Sequence, residues 1–303
     1  MDETRYDILI PVEMYSAMGF DGKSERSVST NDEKAFSLLA WPASFHDAVS
    51  GNRYIIVRTN CTQFEALDVI KKIVSAIPFV SVILDAGLRV ASNQTMVSTH
   101  DVDINRICLF TSGISPHPYG ASGDLRVKVS TEELTQAFSG AMGVPETSRR
   151  AAEVYADVDF EASTTSRIVL IATVLELICS RATRDSDALA LIESWKKCAQ
   201  GASRGDLATA LDLMRVESIS SAIRNEVKAA CARVGISDED ANDIAKRTVA
   251  LYSKRSSVVH GGATVSNEEV AELRHYVRFL LTGTRKRGPF SGVLEGIERH
   301  KVQ

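Results

Sequence analysis

The sequence predicts an α+β N-terminal region followed by an all-α helical bundle. Three observations carry this. Short β-branched and aromatic runs such as Arg53-Tyr-Ile-Ile-Val-Arg-Thr59 fall in the first half of the chain. After about residue 160 every apolar pattern has helical period, with no strand-like alternation. The length of 303 residues is enough for two regions that each bury a core. Residues 1–145 are expected to form the mixed region, 160–285 the bundle and 286–303 a tail.

In chain order, Tyr6 to Val12 reads as a strand, with Pro11 placing it at a sheet edge because proline cannot donate to a ladder. Asp21 to Asp32 is polar and rich in Gly and Ser, so it reads as a loop. The Arg53–Thr59 strand leads into Thr62-Gln-Phe-Glu65, a capping-box pattern opening a helix through Ala76. Phe64, Ala66, Leu67, Ile70, Ile73, Val74 and Ile77 form its apolar face, and Pro78 is expected to stop it. Val80–Leu84, Ile107–Phe110 and Leu125–Val129 are further strand candidates, and Ser130-Thr-Glu-Glu133 opens another helix. Gly143 to about Asp159 reads as a linker.

Helical patterning then resumes. The segment around Arg167 to Arg181 is apolar on most faces and should be central, so Glu176 within it must be paired or face a cleft. Helices follow over Asp187–Gln200, closed by Gly201, and over Ser203–Val216 and Val216–Val234, the last ended by Gly235. Ser237-Asp-Glu-Asp240 starts a long helix with Ile244, Leu251 and Val258 as its stripe. Ser266-Asn-Glu-Glu269 is a capping box for a final helix closing near Thr284.

Composition excludes several classes of function. A formal net charge of −4 gives no global basic footprint, so a nucleic-acid site must be a local patch. Five cysteines lie far apart with no Cys-x-x-Cys pair, which indicates buried free thiols rather than zinc or disulfides. The longest apolar run, Ile168 to Cys179, is broken by Thr173 and Glu176 and is too short to span a bilayer. The start lacks the basic-then-apolar order of a signal peptide, so a cytoplasmic protein is expected.

In the first half, the glycine-rich Thr111–Gly123 lacks the Lys-Ser/Thr ending of a P-loop and reads as a connection. His46, His100 and His117 share no metal-ligand spacing. Arg53, Arg58, Arg126 and Lys128 read as a solvated strand face. Sensing, substrate presentation or dimer support are the expected roles of this half.

The chemistry-bearing stretch is Leu251-Tyr-Ser-Lys-Arg-Ser-Ser-Val-Val-His-Gly-Gly262. Paired glycines mark a helix end, and the negative pole of the macrodipole there suits a cationic side chain. Arg255 offers a permanent forked charge for a phosphate, and His260 is the residue type that moves protons near neutral pH. Five helical steps set the two side chains roughly 140° apart on a straight helix. Either the helix deforms at the glycines or a second chain supplies the matching pair.

Arg255-Ser-Ser-Val-Val-His260 resembles the Arg-x-x-x-x-His motif of HEPN domains. The upstream helix Arg167–Ile178 and the last helix Glu268–Leu281 resemble the flanks of the ApeA-like branch. The resemblance covers roughly the second half of the chain. It implies a metal- and cofactor-independent endoribonuclease in which two motif helices meet in a homodimer. His260 would assist attack of a ribose hydroxyl or protonate the leaving oxygen, and Arg255 would hold the phosphate. Ser256 stands where many members carry Asn, Asp or His, keeping polarity with less reach. Glu176 matches an acidic family position and would orient Arg255, or else pair with a core arginine such as Arg224. The implied setting is toxin or antiphage activity on RNA, with a phage-derived trigger or antidote protein as partner and no membrane. The alternative is a non-catalytic HEPN module that binds RNA, a nucleotide or a protein.

Overall fold

The computed structural model describes residues 4–15, 18–20, 26–28, 36–41, 53–91, 94–97, 106–110 and 127–283. The sheet region holds β1 (Thr4–Met14), β2 (Met18–Phe20), β3 (Arg26–Val28), β4 (Phe36–Trp41) and β5 (Arg53–Cys61). Helix α1 (Gln63–Leu84) follows, then β6 (Leu88–Val90), β7 (Thr95–Val97), β8 (Ile107–Phe110), β9 (Val127–Val129) and α2 (Thr131–Ala141). The remainder is helical: α3 (Glu146–Asp157), α4 (Thr164–Ile178), α5 (Ser186–Gly201), α6 (Gly205–Leu213), α7 (Ile219–Arg233), α8 (Asp238–Gly261) and α9 (Asn267–Thr282). A mixed sheet region followed by a helical region is therefore the architecture.

The main sheet runs β3-β4-β5-β1-β8-β7, with β6 also paired to β1, and β2 and β9 form a separate parallel pair. β1 is thus an interior strand rather than an edge, against the expectation set by Pro11. Its second neighbour changes along its length, being β8 at Asp7–Leu9 and β6 at Val12–Met14. Pro11 falls between them, and its carbonyl accepts from Ala91 on that side at 3.0 Å. The N–H and C=O of one strand residue point the same way, so the missing donor lies in that gap and the β5 ladder is intact. Arg26–Val28, expected within a loop, is a short strand on β4.

α1 begins as expected: Glu65 N–H donates to Thr62 Oγ1, and Thr62 N–H to Glu65 Oε2 at 2.8 Å. It does not stop at Pro78. Residues 80–84, expected as a strand, continue the helix to Leu84. An interior proline costs about 3 kcal/mol. Phe79, Val80, Val82 and Leu84 beyond it are all buried. Each such side chain contributes roughly 1.5–3 kcal/mol, so burial outweighs the lost hydrogen bond. Phe64, counted with the apolar face, is instead 75% exposed.

The expected linker is also helical. In α3 the buried residues are Ala151, Ala152, Tyr155 and Ala156, and the small alanines let it lie close to α1 and α4. Three alanines among Arg149, Arg150, Glu153 and Asp157 carry little apolar signal, which hid the helix. At the end of α5 the left-handed residue is Ser203 (φ 56°), while Gly201 stays within the helix.

One contiguous apolar cluster extends from Ile8 and Ile55 on the sheet through Ile77, Phe138 and Tyr155 to Ile168, Val227, Leu251 and Val277. A polar cluster pins the junction. Tyr155 Oη donates to Asp85 Oδ1 at 2.9 Å, and Arg274 forks onto Asp159 at 2.5 and 2.8 Å. Arg274 also reaches Asp85 at 3.2 Å, and Arg278 donates to the Val82 and Ile83 carbonyls that end α1. Burial pushes the Asp159 carboxyl up to about 6, against the pull of Arg274. No helix among the described residues is long and apolar enough to cross a membrane.

Candidate functional site

The candidate motif lies on α8. Ser237 caps its start by accepting from Asp240 N–H at 3.2 Å, and Asp238, Glu239 and Asp240 sit at the positive pole. Ala241, Ala245, Thr248, Leu251 and Val258 are buried, which turns the same face toward the bundle along the helix. The helix stays regular through Gly261, and Gly262 supplies the left-handed exit at φ 64°. No deformation brings Arg255 to His260.

Arg255 turns toward the C-terminal part of α4. Its Nη1 is 3.2 Å from Glu176 Oε1, and Tyr252 Oη donates to the same oxygen at 2.8 Å. Tyr252 and Arg255 are three residues apart and share a helix face, so one carboxylate serves both. Burial, followed by the bond to Glu176, pushes the Tyr252 phenol up to about 12, so it donates at neutral pH. Arg255 Nε is buried without a hydrogen-bond partner. Of the two partners weighed for Glu176, the structure provides Arg255 and not Arg224.

His260 and Ser256 are exposed, with no hydrogen-bond or ion-pair partner among the described residues. The site therefore has a held guanidinium and, about 7 Å further along the axis and on another face, a solvated imidazole. His260 is flanked by the exposed Val259, Gly261 and Gly262. Such a set can grip a phosphate and carry a proton, but one chain does not aim both at one atom.

Two ion pairs lock α8 to α9. Arg247 forks onto Glu272 at 2.9 and 2.6 Å, and Lys254 pairs with Glu269, whose carboxyl it holds below the usual range. These pairings neutralise Arg247 and Lys254, on the same helix as the motif. Tyr252 was not singled out from the sequence. The available signal was a tyrosine one helical turn before the arginine.

Elsewhere, Arg58 bonds the buried Asp7 across the β1–β5 register, a structural role. His46, His100, His117, Arg126, the Thr111–Gly123 segment and the 286–303 tail lie outside the described residues. Four cysteines are buried, and Cys198 is exposed on α5. No group of three or more His, Cys, Asp or Glu placed to hold a metal occurs among the described residues. A cleft of about 570 Å³ between α1, α3 and the sheet is lined by Lys71, Pro78, Arg89 and Asp157, and a groove of about 450 Å³ lies between α5 and α6. Neither includes the motif.

No protein-family model matches the chain, and no significant match was found among curated proteins or solved structures.

Proposed function

We propose that this chain is an endoribonuclease of HEPN type that cleaves RNA by general acid–base chemistry at a site composed by two copies. The observation that carries this is the division of labour on α8. Arg255 is oriented by Glu176 and Tyr252, while His260 stands solvated and unpaired at the end of the same helix.

In this reading two motif helices meet, so that each phosphate faces two arginines and two histidines. One His260 accepts the proton of a ribose 2′-hydroxyl as its oxygen attacks the adjacent phosphorus. The other donates a proton to the departing 5′ oxygen. Arg255 stabilises the charge that builds on the phosphoryl oxygens, and Glu176 and Tyr252 keep its guanidinium in place. The step uses side chains alone. The need for the neighbouring hydroxyl makes the enzyme act on RNA and not DNA. Toxin or antiphage activity is the setting proposed, with the N-terminal sheet region taking the trigger or antidote.

One observation favours a second reading, a non-catalytic module binding RNA, a nucleotide or a protein. Glu176 already satisfies part of the Arg255 charge, and the neighbouring cations are paired. Cleavage of a generic RNA in EDTA by wild type, Arg255→Ala and His260→Ala separates the two. Loss in both variants, each still folded, supports the nuclease. Cleavage surviving in both removes the site. RNA binding without cleavage selects the second reading.

A further inference from the structure

The hairpin of α5 and α6 is the least integrated part of the bundle. Only Ile192 and Ala208 are buried in it, and its main packing is of one helix on the other. Its two ends are clasped to each other at the stem. Arg184 N–H donates to Arg215 O at 3.0 Å, Glu217 N–H to Ala182 O at 2.8 Å, and Arg181 Nε to Glu217 O at 2.7 Å.

What it exposes is apolar. Trp195 (46%), Leu207 (44%) and Met214 (45%) line the α5–α6 groove together with the small residues Ala199 and Ala210. Leu191, one turn before Trp195, extends the same stripe at 49% exposure. Soluble monomers rarely present a contiguous face of this kind without a partner.

We propose that this hairpin is an arm that packs on the arm of a second copy, joining the two chains whose motif helices form the composite site. The proposal rests on the dimeric reading above. Three features select a second copy as the occupant. The stem begins five residues after Glu176, so the arm springs from the end of α4 that holds Arg255. Arg255 and His260 do not converge within one chain, so the site there is incomplete. The rim charges cancel internally, with Lys196 on Asp212 at 2.7 Å and Arg215 on Glu193 at 3.3 Å. A two-fold axis brings identical groups face to face, which a neutral rim permits and a charged one opposes.

Size fits a shared interface. The 16 residues of α5 make it about 24 Å long and the 9 of α6 about 14 Å, so at a width of about 10 Å the two offer on the order of 400 Å² of face. A stable interface takes about 800 Å² per partner, so the arm joins with a second contact. The exposed end of α8 around Val259 supplies that contact.

The test uses the full chain. Sedimentation of wild type, Trp195→Glu and Leu207→Glu reads the association directly, with circular dichroism confirming the fold of each variant. Both residues are half exposed, so the bundle does not depend on them. A wild-type dimer weakened about 30-fold or more in each variant is expected, the loss typical of an interface hot spot. The exposed Cys198 lies three residues from Trp195 and serves as a native probe. A short bismaleimide should trap covalent dimers in wild type and none in Cys198→Ser. A wild-type monomer at all concentrations, or a dimer unchanged in both variants, overturns the arm. RNA cleavage is scored separately. A dimer that depends on Trp195 yet cuts no RNA keeps the arm and removes the nuclease.

Discussion

Two of the arginine–carboxylate groups in this bundle, at Arg274 and at Arg255, differ mainly in burial. Arg274 is enclosed with Asp85, Tyr155 and Asp159 where the sheet region meets the helices. Arg255 meets Glu176 and Tyr252 at the rim, with its side chain 39% exposed. The chemistry is closely related, a guanidinium and a phenol with two carboxylates at Arg274 and one at Arg255. In the first, every element around it is anchored to the charge, so the arginine serves the fold. In the second, solvent screens the pair and leaves part of the guanidinium open to a ligand. Burial, not residue type, separates a structural arginine from one available for function.

The comparison breaks most directly at Arg274. Arg274→Ala leaves buried carboxylates uncompensated and is expected to lower the unfolding free energy by about 3–5 kcal/mol in urea. Arg255→Ala should change it by about 1 kcal/mol or less and, under the proposed nuclease function, cut RNA cleavage by roughly 100-fold or more. Equal stability losses in the two variants would erase the distinction.

A second effect comes from pH. The Asp159 carboxyl is raised from its ordinary 3.8 to about 6 in the folded chain, chiefly by burial. Between those values the folded state holds the proton and the unfolded state has lost it. This group therefore favours folding below pH 3.8, and that contribution is lost as pH rises through 6. The difference in unfolding free energy between wild type and Asp159→Asn should fall over that window by up to roughly 3 kcal/mol. A flat difference would show that Asp159 titrates normally.

Gly87→Ala tests the same cluster sterically. A Cβ there would lie 2.6 Å from Asp159 Cβ and 3.1 Å from Tyr15 Cβ. The clash should cost about 1–3 kcal/mol, read as a lower urea midpoint with unchanged slope. The smallest effect is expected at the rim. Tyr252→Phe removes one hydrogen bond to Glu176 and should cost about 1 kcal/mol or less in stability. If the phenol positions Arg255, kcat falls while RNA affinity is retained; equal loss of both would assign it to binding alone.

Local signals in the chain were direct. The capping boxes at Thr62, Ser130 and Ser266 and the left-handed glycines 235 and 262 lie where their spacing predicts them. Each depends on contacts within a few residues, which composition exposes. Pro78 and the 146–157 helix misled for the converse reason. Proline in a helix and an apolar face built mostly of alanine are both decided by what packs against them, α1 by its buried C-terminal turn and α3 by its neighbours.

The sequence by itself determined the α+β-then-helical order, most helix ends and the placement of Arg255 and His260 on one helix near its C-terminus. Only the tertiary structure decided that Glu176 and Tyr252 take Arg255, that Arg274 is sealed among two aspartates, and that α5 and α6 stand apart with an apolar face outward. Helix caps are satisfied by neighbours in sequence. The contacts around Arg255 and Arg274 join groups far apart in the chain, 76 residues for Tyr252 and Glu176 and 119 for Arg274 and Tyr155, which no local pattern encodes.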